Sequence, residues 1–277
     1  MNKLFMSCIL MGLLAFLLIG TNVVKAKDKN DALHEAIGSF KRQEVQKLLD
    51  EGADVEGKII GTTPLMFACR MRDSAVVRLL IERGANVNAR SDFQMTPLMN
   101  VCCSAVEIRP GFDIVKLLIH KGADINVKNN NGETALRMAC RCNSKENAQI
   151  AKILLDNGAD VNTKNLDGET ALMAACGNSD REHAQIAKIL LDNGADVNAK
   201  DLDGKTALMA ACGNRSYDEY NEDLVAIVKL LLARGADVNV KDMEGKTAAK
   251  VATEKGNYEI VNLLKAESSK SDRQSIR

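Results

Sequence analysis

Eight cysteines and three histidines are the side chains best suited to chemistry in this 277-residue sequence. Cys69, Cys102, Cys140, Cys176 and Cys212 share one register: each ends a short run beginning Thr-Pro-Leu or Thr-Ala-Leu. A residue repeated at one structural place has one structural role, and cysteine packs there as a small hydrophobe. Equivalent places in neighbouring units are expected roughly 9–10 Å apart, the spacing of packed helices. A disulfide needs Cα atoms within about 7 Å, so these five are expected to be buried thiols. Cys103 and Cys142 fall one and two positions past the shared place, in adjacent units. They form a candidate thiol pair in an oxidising compartment, and they are the basis of one alternative reading, a thiol-redox or metal-handling protein. The C-C and C-R-C spacings around Cys102, Cys103, Cys140 and Cys142 are not those of zinc sites. No metal and no cofactor is therefore expected.

His34, His120 and His183 show no mutual spacing that suggests ligation or catalysis. The chain contains no H-E-x-x-H, no G-x-S-x-G, no phosphate-binding P-loop and no dinucleotide fingerprint. No catalytic residue is assigned, and the expectation is a protein that is not an enzyme. Acidic and basic residues balance at 37 each, which argues against general nucleic-acid or membrane-surface binding.

The elements that position these residues come from internal repetition. The string DGETALMAACGN at 167–178 returns as DGKTALMAACGN at 203–214, and QIAKILLDNGADVN at 149–162 returns at 185–198. Diverged copies place the leading threonines at Thr63, Thr96, Thr134, Thr170, Thr206 and Thr247, spaced 33, 38, 36, 36 and 41 residues apart. Each unit reads as two short helices. Thr is a helix cap, and Pro64 and Pro97 suit a first turn whose N–H needs no helical partner. The second helix carries apolar residues at helical spacing, as in Ile150, Ile153 and Leu154. It ends at a glycine suited to a left-handed C-terminal residue, as at Gly158. Aromatics make up only 3% of the chain and Trp is missing, which suits thin layers of Ala, Leu, Val and Ile better than one thick core.

In these motifs, G-x-T-P-L-x-x-A with L-L-x-x-G-A-D-V-N, the chain resembles the ankyrin repeat over roughly residues 31–266. The resemblance implies an all-α solenoid of stacked helix–turn–helix units with β-hairpin-like fingers. It gives an N-terminal cap at 31–60, five full repeats at about 61–241 and a C-terminal cap at 242–266. The repeat domain as a whole is set at 27–267, followed by a disordered tail at 268–277. One departure stands out: the histidine that the family places after T-P-L, where it ties neighbouring units, is replaced by Met66, Met99, Arg137, Met173 and Met209. Only His34 keeps it.

The resemblance also implies a binding surface on the finger tips and the exposed end of the first helix. Its register puts Ile59, Asp92, Asn130, Leu166, Leu202 and Met243 at the tips, with Ile60 and Phe93 one position on. Apolar residues on a polar turn have no core to fill, and several in a row mark an interaction surface. Insertions relative to a 33-residue period fall between the two helices of a unit. The longest carries Tyr217 and Tyr220 among acidic residues, and tyrosine is enriched at interfaces. The function implied is recognition of a folded protein partner, which the chain would inhibit, protect or tether, and a monomer is expected.

The first 26 residues stand apart. Lys3, an apolar run from Leu4 to Ile19 and Val24-Lys25-Ala26 follow the order of a secretory signal peptide. The expectation is an exported, bacterial-type member, periplasmic or secreted. A secreted effector that binds host proteins, and an uncleaved N-terminal membrane anchor facing outside the cytoplasm, are the alternatives on this point.

Overall fold

In the computed structural model, residues 28–104, 110–142, 146–178, 181–214 and 221–274 are described. They form seven consecutive helix pairs: α1 (Lys29–Gly38) with α2 (Arg42–Asp50), α3 (Pro64–Arg70) with α4 (Ser74–Glu82), α5 (Pro97–Cys102) with α6 (Phe112–His120), α7 (Ala135–Arg141) with α8 (Asn147–Asp156), α9 (Ala171–Cys176) with α10 (Arg181–Asp192), α11 (Ala207–Cys212) with α12 (Asn221–Ala233), and α13 (Ala248–Lys255) with α14 (Tyr258–Gln274). Each first helix packs on the first helix of the next pair, and each second helix on the next second helix. The result is a two-row helical solenoid. Among the described residues there is no β-strand; the finger turns are closed by short backbone hydrogen bonds, as from Asn165 N–H to Glu169 O and Gly168 N–H to Asn165 O, with one isolated β-bridge between Ile59 and Thr62.

Local sequence explains why each helix starts and stops where it does. The side chains of Thr63, Thr96, Thr134, Thr170, Thr206 and Thr247 all accept a hydrogen bond from the backbone N–H three residues on, which satisfies a donor that the first turn leaves free. The second helices end at left-handed glycines such as Gly158, φ 89°, a conformation that a Cβ would strain. Apolar positions on both rows merge into one continuous buried layer from Leu33 to Leu264, so each unit buries its flank on its neighbours rather than in a core of its own.

One boundary differs from the sequence expectation. The last helix does not stop at 267: it continues to Gln274, so residues 268–274, read above as disordered tail, extend α14. The stretch Ala266-Glu-Ser-Ser-Lys-Ser-Asp-Arg-Gln274 contains no Gly or Pro, and nothing in it breaks a helix already nucleated by the packed turn around Ile260 and Leu264.

Neighbouring units are tied along the finger edge by a device used four times over. Asn88 donates to Gly122 O at 2.9 Å and accepts from Asp124 N–H at 2.8 Å. Asn126 does the same with Gly158 and Asp160, Asn162 with Gly194 and Asp196, and Asn198 with Gly235 and Asp237. A parallel row of cations runs beside it: Lys58, Arg90, Lys128 and Lys164 each donate to the backbone carbonyl of the next member, ending at Lys200. The histidine ties that the sequence lacks are thus replaced. Where the histidine survives, it also bridges units, with His34 Nε2 3.1 Å from Thr62 O. Arg137, standing in the histidine place of its unit, pairs with Glu133 of its own finger and Glu169 of the next.

Candidate protein-interaction face

The finger turns lie side by side because their backbones bond directly. Asn130 N–H donates to Phe93 O at 3.1 Å, Leu166 N–H to Asn131 O at 3.0 Å, Leu202 N–H to Asp167 O at 2.9 Å and Met243 N–H to Asp203 O at 2.8 Å. Approach this close leaves no room for a side chain at the turn: a Cβ on Gly168 would stand 2.8 Å from Leu202 N, and Gly168 has φ 79°. Large apolar side chains on five of the six fingers are left facing outward. Those residues are Ile60, Phe93, Leu166, Leu202 and Met243, which are 75%, 58%, 67%, 64% and 79% exposed. Asn130 interrupts the series with a polar tip.

Most of the residues singled out in the sequence come together on this one edge. Ile59 behaves differently from its neighbour. Its N–H and C=O both pair with Thr62, it is half-buried, and the outward position passes to Ile60, held at φ 49°. The first finger is a tighter two-residue turn than the others, which shifts its tip by one residue. Tyr217 and Tyr220 lie outside the described residues.

Charges beside the C-terminal tips are largely paired within the chain. Asp203 meets Lys205 at 2.8 Å, and Lys246 meets Glu254 at 3.0 Å and Glu244 at 3.1 Å. Asp203 holds the Lys205 ammonium above its usual range, and Glu254 and then Glu244 do so for Lys246. The apolar tips, in contrast, are exposed among the described residues. With roughly 10 Å per packed unit, the series from Ile60 to Met243 extends over roughly 50 Å.

The first-helix row forms the floor next to the tips, and its character changes along the solenoid. In the N-terminal part Phe67 lies under the Arg70 guanidinium, 5.1 Å from ring centre to Cζ, and Arg141 reaches Glu133 at 3.4 Å. Further on, the places of Phe67 and Arg70 are taken by Ala174 and Gly177, then by Ala210 and Gly213. The floor passes from large and basic to small and smooth.

The thiols divide as their register requires. Cys69, Cys102, Cys140, Cys176 and Cys212 are fully buried. Burial pushes all five upward, Cys176 and Cys212 to about 12 and the others further, so none of them is a nucleophile near neutral pH. Cys103 and Cys142 are half-buried and carry thiols rather than a disulfide. Among the described residues no group of three or more His, Cys, Asp or Glu side chains is placed to hold a metal ion, and no helix is long and apolar enough to cross a membrane.

Sequence reasoning missed the asparagine ties and one further residue, Arg72. Its guanidinium is 1% exposed, donates to Ser104 O at 3.3 Å and meets Glu146 at 3.5 Å, two units away. Its backbone sits at φ 52°. The asparagines carried a usable signal, since a polar residue closing every G-A-D/N-V/I-N motif has a reason to recur. Arg72 occurs once and carried none.

Comparison with known proteins agrees with this geometry. A family model described as ankyrin repeats (three copies) matches residues 5–91, 102–201, 145–242 and 181–274. An 83-residue stretch is 36% identical to the ankyrin repeat, SAM and basic leucine zipper domain-containing protein 1 of Carollia perspicillata, covering 30% of this chain and 17% of that protein. A 67-residue stretch is 45% identical to the human mitochondrial disaggregase, covering 24% of this chain and 10% of that protein. The similarity thus spans a sixth or less of these relatives' own length. Among solved structures, the ankyrin repeat domain of Bcl-3, titled a unique member of the IkappaB protein family, is similar with a TM-score of 0.62 and 25% identity, over 84% of this chain and 97% of that one.

Proposed function

This chain belongs to the ankyrin-repeat family, and from that premise we propose that it is an exported recognition protein whose finger tips and adjoining groove hold a folded protein partner. Ankyrin repeats are protein-interaction scaffolds, typically without enzymatic activity. The row of five outward apolar tips on a hydrogen-bonded backbone ladder carries the more specific reading. An exposed apolar series of this length has no structural task inside the chain, and rigid spacing lowers the ordering entropy lost on binding. The partner is inhibited, protected or tethered rather than chemically changed. Export to the periplasm or the exterior is supported by Lys3, the Leu4–Ile19 run and Val24-Lys25-Ala26.

The test is capture of the native partner from the compartment into which the chain is exported, by the parent and by Leu202→Asp/Met243→Asp. Both side chains are exposed, so helicity and melting should match the parent while capture is lost. Undiminished capture by the double variant would mean that the partner sits elsewhere. Recovery of a mature form beginning at Lys27 from that compartment checks the export step; a chain retained whole in the cytoplasm would refute it.

A further inference from the structure

The mechanism of recognition leaves Cys103 and Cys142 unused. The repeat register gives two precedents for the Cys142 side chain and one exception, since Asn178, eight residues after Thr170, donates to Ala174 O within its own helix. Cys142 lies eight residues after its cap threonine, Thr134. Ser104 lies eight after Thr96, and Asn214 eight after Thr206. In those two units the side chain at this place reaches back across the boundary to the preceding unit. Ser104 Oγ donates to Arg70 O at 2.7 Å, and Asn214 Nδ2 donates to Cys176 O at 3.1 Å. Arg70 and Cys176 lie seven and six residues after their own cap threonines, Thr63 and Thr170. In the unit that precedes Cys142, those places are Cys103 and Cys102.

The distance implied fits a disulfide. A serine Oγ and a carbonyl oxygen each lie about 2.4 Å from their own Cα by standard covalent geometry, so the Ser104 and Arg70 Cα atoms are at most about 7.5 Å apart. Disulfides join Cα atoms about 4.4–6.8 Å apart. Cys102 is the poorer partner of the two. It is fully buried, burial pushes its thiol well above the ordinary value, and the neighbouring Cys103 and Cys142 add to that shift. Cys103 and Cys142 are both half-buried and within reach of a small reagent.

We propose that Cys103 and Cys142 form a reversible disulfide that staples the α5–α6 unit to the α7–α8 unit along the floor of the groove. A small-molecule disulfide such as oxidised glutathione supplies the oxidising equivalents. One cysteine thiolate attacks the reagent's S–S bond, forming a mixed disulfide and releasing one thiolate. The second cysteine then attacks the protein-side sulfur and releases the other. Two S–H bonds and one S–S bond are broken, one protein S–S bond is formed, and two molecules of reduced thiol leave with the two protons. The closed form fixes the α5–α6 unit against the α7–α8 unit at the end of their first helices, so the spacing of the two units becomes dependent on redox state. The inference stands on the repeat register and holds whether or not the groove takes the partner proposed above.

The experiment treats the folded full-length chain with oxidised glutathione, blocks remaining thiols, and maps linked peptides by mass spectrometry with fragmentation. The expected result is an intramolecular Cys103–Cys142 link, two fewer titratable thiols, and a melting temperature raised by several degrees and restored by dithiothreitol. Cys142→Ser places at 142 the residue that Ser104 already supplies in the preceding unit, and should fold; it should leave Cys103 as a glutathione adduct and remove the shift. A link from Cys142 to Cys102, a link between two chains, or glutathione retained on both cysteines of the parent would each overturn the proposal. So would the absence of any reaction.

Discussion

The two edges of the solenoid hold neighbouring units together in different ways. Along the finger edge one asparagine per unit makes the same two bonds four times in succession. Along the opposite edge, where the two helices of each unit connect, the boundaries described are tied by different side chains. Ser104 reaches Arg70 O, Arg72 bridges to Ser104 O and Glu146, Asn214 reaches Cys176 O, and Asn257 reaches Asn214 O. In sequence, the insertions relative to a 33-residue period fall between the two helices of a unit. Added chain length between two helices costs little entropy, so the sequence is free to vary there, whereas the finger edge presents the tips at fixed spacing. The comparison implies that uniform ties set binding geometry, and individual ties set local stability.

The largest effect should therefore come from the irregular edge. Arg72→Ala removes a fully buried guanidinium from Ser104 O and from Glu146. Breaking one side of a buried charge pair costs about 3–5 kcal/mol. The lower end, about 3 kcal/mol, is expected because Glu146 is 27% exposed and keeps the Gly111 N–H at 2.7 Å. Urea unfolding measures it, and hydrogen exchange should show the loss concentrated in α3 to α8. A change under about 0.5 kcal/mol would show that the irregular edge contributes no more than surface decoration.

A pair of asparagines in adjacent units compares the two edges. Asn162 makes two bonds to the following unit, at Gly194 O and Asp196 N–H. Asn178, on the other edge, bonds only Ala174 O within its own helix. At about 0.5–1.5 kcal/mol per hydrogen bond, and with discount for solvent, Asn162→Ala should cost about 1–2 kcal/mol and Asn178→Ala about 0.5 kcal/mol. Asn162→Ala should also broaden the unfolding transition, because it weakens coupling between units. Equal effects at both sites would erase the distinction between the edges.

The same division explains what could be read from the sequence. Helix pairs, threonine caps, glycine stops, the buried cysteine place and three of the five apolar tips (Leu166, Leu202 and Met243) all repeat, and repetition turns a single residue into a pattern. Leu166 and Leu202 were legible because the strings around them are nearly identical. Of the two neighbours Ile59 and Ile60 the register could not say which points outward; the first finger closes as a two-residue turn at Ile59 and Thr62, and Ile60 is the exposed one. Arg72 was invisible because its contacts at Ser104 and Glu146 are 32 and 74 residues distant. No local pattern encodes a side chain that crosses two units. The helical continuation to Gln274 was read as tail because its residues are polar, although polarity alone does not end a helix.

The smallest effect concerns His34, the one surviving histidine tie on the finger edge. Its Nδ1 and Nε2 lie 3.1 Å from Asn30 O and Thr62 O. Burial holds its pKa below the ordinary 6.5; the hydrogen bonds to Asn30 O and Thr62 O, and the charge of Asp31, oppose burial without overcoming it. A base with a lowered folded pKa binds fewer protons when folded than when unfolded, so stability rises with pH through this range. His34 therefore contributes fully above its unfolded pKa of about 6.5, and the contribution is lost as pH falls through that value toward the folded pKa. His34→Gln should flatten the stability profile between about pH 5 and 7 while leaving the Asn162 contribution unchanged, since the asparagine ties do not titrate. Urea midpoints measured across that range for the parent and both variants provide the check. A parent profile that falls as pH rises would mean that the charged ring, bonded to both carbonyls at once, is the form the fold prefers.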